Sequence, residues 1–280
     1  MKTKTLLLFI VFLPISIYAQ TAEELNTQGI EFAKKGDIGK GFELFNKAIE
    51  TNPEFPDAYS NRGNVYRMGE KYELAIKDYS TSLKLNPKSL DVLYSRANTY
   101  LDMENFKKAI DDYSMIIELK PSFPNIYFDR AYANIRNDNF KKAKNDFEAQ
   151  LELNPNDFKS LANLINIKYK LELYDDALLD YTKLFKRFPN QQNLHILYNN
   201  RANLYQEIDE YQKALQDINK ALELNENYDM GFLNRAGINM KLGNNKEACE
   251  DYKKAIELEV ETNDHFEMYD DFKKLKKLCK

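Results

Sequence analysis

The chain carries five prolines at a constant interval of 34 residues, and residues of matching type recur in step between them. They are Pro53, Pro87, Pro121, Pro155 and Pro189. A fixed period of this size is typical of stacked helix pairs, because one pair cannot bury its apolar face alone and must pack on its neighbours. The period therefore predicts an all-helical array in which each segment contacts mainly the adjacent ones.

Two series of small residues indicate two helices in every period. The first series is Gly29, Gly63, Ala97, Ala131, Ala202 and Ala236, with Ile165 as the exception. The second is Gly41, Ala75, Ala109, Ala143, Ala177, Ala214 and Ala248. Four residues after each member of the second series stands a large side chain, in order Phe45, Tyr79, Tyr113, Phe147, Tyr181, Ile218 and Tyr252. Residues four apart share a helix face, so we expect close helix approach beside a large side chain.

With these series and prolines, residues 22–260 resemble seven tetratricopeptide repeats. The resemblance implies an all-α fold, a right-handed α-solenoid of antiparallel helix pairs whose concave groove is lined mainly by the first helix of each pair. The repeats span about 22–55, 56–89, 90–123, 124–157, 158–191, 195–228 and 229–262, within a repeat region of 20–260. The departures are Ile165, and Glu226 and Val260 in place of the last two prolines.

Three residues are inserted before the sixth repeat. Ten residues separate Pro155 from Ile165, whereas thirteen separate Pro189 from the equivalent Ala202. Three residues are close to one helical turn, so the insertion predicts either a lengthened first helix or a local kink near residues 191–195.

Residues 1–19 fit an export signal. Lys2 and Lys4 precede an apolar stretch at residues 6–13, and Ala19 supplies the small residue that a signal peptidase requires. Eight apolar residues are too few for a membrane span, which needs about 20. We expect a cleaved signal and a periplasmic or secreted, bacterial protein with no stable membrane insertion after cleavage; an uncleaved anchor is the alternative.

The charge balance argues against nucleic acid as a partner. The chain has 40 basic and 44 acidic side chains, and removal of Lys2 and Lys4 with the signal leaves 38 against 44. Nucleic-acid binding usually requires a basic surface. No linker rich in Gly, Ser or Pro interrupts the repeats, so one continuous array is expected.

The two cysteines, Cys249 and Cys279, allow two interpretations. Cys249 stands where other repeats carry apolar residues, so it fits a small buried core residue. In an exported chain the same pair is able to form a disulfide, because the terminal helix should pack on the helix that bears Cys249.

Residues 263–280 predict a C-terminal helix. Its apolar positions recur at steps of three: Phe266, Tyr269, Phe272, Leu275 and Leu278. We interpret it as a capping helix that covers the last apolar face of the array. The alternative is a basic amphipathic helix that lies on anionic membrane, since four lysines stand between the apolar positions and Lys280 follows them.

Aspartates and arginines also recur in phase. The aspartates are Asp78, Asp112, Asp146, Asp180, Asp217 and Asp251, and the arginines are Arg62, Arg96, Arg130, Arg201 and Arg235. We interpret them as ion pairs between adjacent helices, repeated because the repeats are alike. The alternative is a charged row that holds a ligand.

The face of each first helix opposite the small residues predicts the binding groove. Its candidate residues are Asn61, Asn64, Tyr94, Asn98, Phe128, Asp129, Tyr132, Asn163, Asn166, Asn200, Asn203 and Asn234. Asparagine offers donors and an acceptor, which the backbone of an extended peptide requires whatever its sequence. The pattern resembles the asparagine ladders of some peptide-binding members of the family; the alternative is that asparagine is common in this chain and tolerated on a solvated face.

The resemblance also allows a test for one known type of partner. Clamps for acidic chaperone tails need lysines and an arginine on successive first helices. At the positions where such a clamp has lysine, this chain has residues such as Asn26, Ser60, Tyr94 and Ala162. At the positions where the clamp has arginine, it has Ser95, Asp129 and Asn163. An acidic-tail chaperone is therefore not expected. Further apolar groove candidates, Ile196, Met230 and Leu233, favour a partner with some apolar side chains.

Nothing in the sequence indicates catalysis, a metal site or a cofactor. His195 and His265 are far apart, and no phosphate-binding loop, zinc spacing or nucleophile arrangement is present. The sequence predicts a non-catalytic scaffold that binds a peptide or protein in the concave groove. The alternative is a structural subunit of a cell-envelope assembly or secretion complex that uses the convex face or the ends.

Overall fold

The computed structural model describes residues 20–258 and 270–280. In this part of the chain the backbone forms fifteen α-helices and no β-strand, which confirms the all-α prediction. The first helices of the seven repeats are α1 (Ala22–Lys34), α3 (Pro56–Met68), α5 (Leu90–Asp102), α7 (Ile126–Arg136), α9 (Phe158–Lys170), α11 (Leu194–Glu207) and α13 (Asp229–Leu242). The second helices are α2 (Ile38–Thr51), α4 (Tyr72–Leu85), α6 (Phe106–Leu119), α8 (Phe140–Leu153), α10 (Tyr174–Arg187), α12 (Tyr211–Leu224) and α14 (Asn245–Glu257). The last helix is α15 (Asp270–Leu278); the predicted signal at 1–19 lies outside the described residues.

The chain divides into two compact units, Met1–Phe123 and Pro124–Lys280, where the sequence predicted one continuous array. The N-terminal unit contains α1–α6 and the C-terminal unit contains α7–α15; each is a solenoid of helix pairs. The dividing connection runs from 120 to 125 and is two residues longer than the connection at 86–89. Pro121 and Pro124 lie in it and cannot continue a helix, and Asn125 adopts a left-handed conformation with φ 57°.

The three-residue insertion before the sixth repeat is divided between loop and helix. Helix α11 has 14 residues, one more than α9, so the predicted lengthening accounts for one inserted residue. The other two extend the connection at 188–193, which ends at Asn193 with φ 62°. Helix α11 is continuous, and the chain turns at the left-handed Asn193, which lies within the range 191–195 predicted for a local kink and before the helix begins.

Paired helices approach each other closely at the two small-residue series. Gly63 and Ala75 are buried, and a Cβ built on Gly63 would lie 2.8 Å from Cε1 of Tyr79. Tyr79 itself has no solvent exposure. The aromatic ring therefore occupies the space that a larger residue at position 63 would need, as the sequence predicted.

Each helix pair is joined by a turn with one residue at positive φ. These residues are Gly36, Glu70, Glu104, Asp138, Glu172, Asp209 and Gly243. Only the first and last are glycine, although the left-handed region costs other residues roughly 1–2 kcal/mol. The same turn geometry is thus retained in all seven repeats even where the residue does not favour it.

The arginines and aspartates form ion pairs within the second, third, fourth, sixth and seventh repeats, which confirms the structural interpretation. In the second repeat Nε of Arg62 donates to Oδ2 of Asp78 at 2.7 Å, and Nη2 donates to Oδ1 at 2.9 Å. The same two-bond geometry joins Arg96 to Asp112, Arg201 to Asp217 and Arg235 to Asp251, and Arg130 also pairs with Asp146. We call these five pairs the arginine ladder; each fixes a first helix against its second helix.

Helix α15 covers the end of the C-terminal unit. This confirms the predicted capping helix over residues 270–278. It packs on α13 and α14, and Leu275 is 1% exposed in a cluster with Leu233 and Tyr252. Cys249 and Cys279 form a disulfide that joins α14 to the end of α15. The interpretation of Cys249 as an unpaired core residue is therefore wrong. Residues 263–269 of the predicted helix lie outside the described residues.

The ladder predicts a specific pattern of stability loss. Substitution Arg96→Met should weaken α5 and α6 by roughly 3–5 kcal/mol, because Asp112 is left buried without its partner. The double variant Arg96→Met with Asp112→Leu should recover most of this loss, since no unpaired charge remains. Native-state hydrogen exchange of the α5 and α6 amides measures the loss of stability in the single variant and in the double variant. A double variant as unstable as the single one would contradict the ion-pair interpretation.

Candidate partner-binding surface

The first helices form a shared surface within each compact unit, which we call the first-helix face. Helix α3 contacts both α1 and α5 in the N-terminal unit, and α11 contacts α13 in the C-terminal unit. All twelve predicted groove residues lie on first helices, and all retain some solvent exposure. Four belong to the N-terminal unit and eight to the C-terminal unit, so each unit has its own set.

Two predicted groove asparagines bind the neighbouring first helix. Nδ2 of Asn61 donates to Oδ1 of Asn26 at 2.9 Å, and Nδ2 of Asn234 donates to Oδ1 of Asn199 at 2.6 Å. The acceptors are buried, at 5% and 4% exposure. These two pairs therefore hold adjacent first helices together. The sequence signal was available in the spacing of 35 residues that both pairs share.

Asn64 and Asn98 are oriented by buried tyrosines of the second helices. The Tyr79 hydroxyl donates to Oδ1 of Asn64 at 2.7 Å, and the Tyr113 hydroxyl donates to Oδ1 of Asn98 at 2.6 Å. Burial raises the pKa of Tyr79 to about 12, so this hydroxyl remains a donor at neutral pH. With Oδ1 turned toward tyrosine, the Nδ2 group of each asparagine is left as the donor for a partner carbonyl.

The asparagines of α9 and α11 differ in accessibility. Asn166 is exposed and Asn200 is partly exposed. Nδ2 of Asn163 donates to the Lys159 carbonyl of its own helix at 2.8 Å, and Oδ1 of Asn203 accepts from Gln206 at 3.3 Å. Each of these two amides uses one group locally and keeps its other polar atom for further bonds.

The predicted aromatic residues differ in accessibility. Tyr94 lies against Tyr113 and Phe123, with ring centroids 6.0 and 5.5 Å away, and Phe128 lies 5.6 Å from Phe147. Both rings therefore belong partly to the interior.

Tyr132, in contrast, is 45% exposed, and its hydroxyl accepts a hydrogen bond from Arg136 at 3.3 Å. Of the three predicted aromatic residues it presents the most surface to a partner. Ile196 on α11 is similarly accessible, with 42% exposure.

The sequence missed Tyr169 on the same face. Tyr169 is 40% exposed, and its hydroxyl donates to Glu207 at 3.3 Å, which joins α9 to α11. It follows Asn166 by three residues and so shares its helix face, which was the available signal. In the N-terminal unit a similar link, Arg67 to Asp102 at 2.9 Å, joins α3 to α5.

The first-helix face combines polar and aromatic side chains. Among the described residues no group of three or more His, Cys, Asp or Glu side chains is placed to hold a metal ion. None of the helices in the described ranges is long and apolar enough to cross a membrane. The first-helix face instead offers amides, tyrosine rings and single charges, which suit hydrogen bonding and apolar contact with another chain.

Family models for the tetratricopeptide repeat match residues 56–89, 90–123, 124–157, 195–228 and 232–259, together more than half of the chain. This chain belongs to the tetratricopeptide repeat family. Four matched ranges coincide with the bounds read from the sequence, and the fifth falls within the seventh repeat. Repeats of this family support a role in protein–protein interaction.

Solved structures share the fold. A tetratricopeptide repeat protein from Parabacteroides merdae is 25% identical with a TM-score of 0.56, and the match covers 93% of this chain and 99% of that one. YrrB, described as a tetratricopeptide repeat protein with an unusual peptide-binding site, is 22% identical with a TM-score of 0.57, over 68% of this chain and 96% of YrrB.

A curated relative is an uncharacterized protein of Methanocaldococcus jannaschii, 44% identical over 54 residues. The match covers 19% of this tetratricopeptide repeat protein and 63% of that relative, so the chain spans less than two thirds of the relative's length.

Proposed function

We propose that the first-helix face of the C-terminal unit binds an extended segment of a protein partner, without catalysis. The observation that carries the proposal is that the first helices α7, α9 and α11 together carry accessible amides, Asn166 and Asn200, and the exposed Tyr132, Tyr169 and Ile196. Amides pair with the backbone of a peptide whatever its sequence, and the rings and Ile196 add apolar contact with its side chains.

One solved structure of the same fold supports the proposal of a peptide partner. YrrB has the same fold and is described as having a peptide-binding site, although at 22% identity the likeness covers only the fold. The surface of this chain differs from an acidic-tail clamp, because Asp129 and Glu207 lie on the first helices and would repel a carboxylate-rich peptide. A neutral or basic segment with some apolar side chains fits better.

We further propose that binding takes place outside the cytoplasm, in the periplasm or after secretion. Residues 1–19 have the basic start, apolar stretch and small final residue of an export signal. The Cys249–Cys279 disulfide supports this location, since disulfides persist in oxidising compartments.

A second candidate function is a structural subunit that uses the second helices. Leu153 on α8 is 54% exposed and Leu179 on α10 is 61% exposed. Large apolar side chains on this side favour contact with another subunit of an envelope assembly. The peptide-binding function is preferred because amides and aromatic residues are combined on the first-helix face.

Peptide selection tests the main proposal. Peptides selected from a display library on residues 20–280 should lose at least about tenfold in affinity when Asn163, Asn166, Asn200 and Asn203 are all changed to Ala, since each lost hydrogen bond contributes roughly 0.5–1.5 kcal/mol. Affinity is measured by isothermal titration calorimetry.

The matched control changes four exposed amides of the second helices, Asn145, Gln212, Gln216 and Asn245, to Ala. Its affinity should equal that of the unmodified protein. If the control loses affinity and the first-helix variant does not, the second-helix function is the better account.

Export has a separate test. The full chain, expressed in a Gram-negative host, should be recovered from the periplasm with Gln20 as its first residue, measured by mass spectrometry of the intact protein. Cys249 and Cys279 should react with a maleimide in the unfolded protein only after reduction. A cytoplasmic product that retains residues 1–19 would contradict the proposed location.

A further inference from the structure

An apolar cavity of about 440 Å³ opens between the first two repeats, within the N-terminal unit. The start of α2, the end of α3 and the turn after α3 line it, and its large apolar side chains are Ile38, Phe42, Val65, Tyr66 and Met68. Met68 is 69% exposed, so a large apolar side chain of the lining lies open to solvent. None of these residues belongs to the predicted groove set, and the cavity is a separate feature of the surface.

The cavity is lined by a position that carries an aromatic ring in most other repeats. The first residue of α2 is Ile38, whereas the second helices of the second to sixth repeats begin with Tyr72, Phe106, Phe140, Tyr174 and Tyr211. Phe140 packs against the same apolar cluster as Leu171 of the following repeat, and Nζ of Lys170 lies 5.3 Å from the centre of the Phe140 ring. Tyr211 and Leu242 share a cluster in the same way. An aromatic ring and an aliphatic side chain therefore meet between successive repeats at both places.

Two glycines further reduce the volume of side chains at this cavity. Gly69 stands where the later repeats carry Met103, Asn137, Leu171, Ile208 and Leu242. The backbone does not require glycine there, since the φ of −91° at Gly69 is close to the −90° of Leu171. Gly39, also in the lining, lies inside α2, where glycine is less favourable than alanine. A Cβ built on Gly69 or Gly39 would lie 3.7 or 3.9 Å from the nearest neighbouring oxygen, an ordinary contact distance, so packing does not require glycine either.

The groups around the cavity suit an aromatic ring. Phe42 and Tyr66 meet edge to face, with ring centroids 5.3 Å apart, and a third ring packs favourably against such a pair. The thioether of Met68 favours contact with a ring edge. Lys71, which also lines the cavity, supplies an ammonium group, as a lysine does at the equivalent ring of the fourth repeat. A saturated side chain would gain apolar contact but none of these three interactions.

We propose that this cavity binds an aromatic side chain presented by a partner protein. The ring enters beside Ile38 and lies over Gly69, in the place of the ring that the second to sixth repeats supply themselves. Its edge contacts Met68 and its face is turned to the ammonium group of Lys71. This site is in the N-terminal unit and does not depend on the function proposed for the first-helix face of the C-terminal unit.

Blocked amino acids test the proposal without knowledge of the partner. The probes are N-acetyl-phenylalanine methylamide and its cyclohexylalanine counterpart, which has a six-membered ring without aromatic character. Each is titrated into the disulfide-bonded protein of residues 20–280, and backbone amide shifts of residues 38–42 and 65–71 in NMR spectra measure affinity and location. We expect the phenylalanine probe to bind about threefold more tightly, because only an aromatic ring offers a negative face to Lys71.

Two variants fill the cavity with side chains that the chain uses elsewhere. Gly69→Leu supplies the residue found at Leu171, and Ile38→Tyr supplies the residue found at Tyr72. Each should lower the affinity for the phenylalanine probe about tenfold or more, since the added side chain occupies the site, with thermal stability retained. The matched control is Gly237→Leu on α13, where no atom lies within 4 Å of the added Cβ, and it should leave binding unchanged.

Equal affinity for the two probes, no shift at residues 38–42 and 65–71, or undiminished binding by both filled variants would overturn the proposal. A dimer of the unmodified protein in analytical ultracentrifugation that Gly69→Leu dissociates would overturn it too, since a second copy would then occupy the cavity. So would loss of probe binding in the chain that retains residues 1–19, which would make that segment the occupant. None of these results bears on peptide binding by the first-helix face.

Discussion

The close approach of paired helices at the small-residue positions determines most of this structure. At Gly63 there is no room for a Cβ beside Tyr79, so the ring and the two helices have one arrangement. The same ring donates its hydroxyl to Asn64 on the first-helix face. The packing of Tyr79 in the interior therefore fixes the direction of the Asn64 amide at the surface. In this way the helix packing orients a candidate binding residue.

The arginine ladder adds a second constraint to the same helices. Arg62, Arg96 and Arg235 also donate to a residue of the preceding second helix, so each of them fixes both its own helix pair and the stacking of that pair on the previous one. In the fifth repeat Leu164 takes the position of the arginine, and Leu161 and Ile165 pack in the apolar cluster of that repeat.

The sequence was sufficient to predict the helix pairs because the same features recur from repeat to repeat. The period, the small residues, the large residues and the paired charges all indicate the same two-helix unit. It was less informative for the surface. Whether Asn61 faces solvent or bonds to Asn26 depends on the rotation between neighbouring first helices, which the spacing within one helix does not determine. The disulfide could not be assigned from the sequence because it depends on where α15 packs against α14.

The substitution Gly63→Ala tests the close-approach claim most directly. Alanine normally stabilises a helix interior by roughly 0.5–1 kcal/mol relative to glycine, and Gly237→Ala should do so, because no atom lies within 4 Å of the added Cβ. Gly63→Ala should instead destabilise the N-terminal unit by about 1–3 kcal/mol, since the ring of Tyr79 must move. The free energies are measured by native-state hydrogen exchange of α3 and α4 for Gly63→Ala and of α13 and α14 for Gly237→Ala. Equal stabilisation by both substitutions would contradict the account.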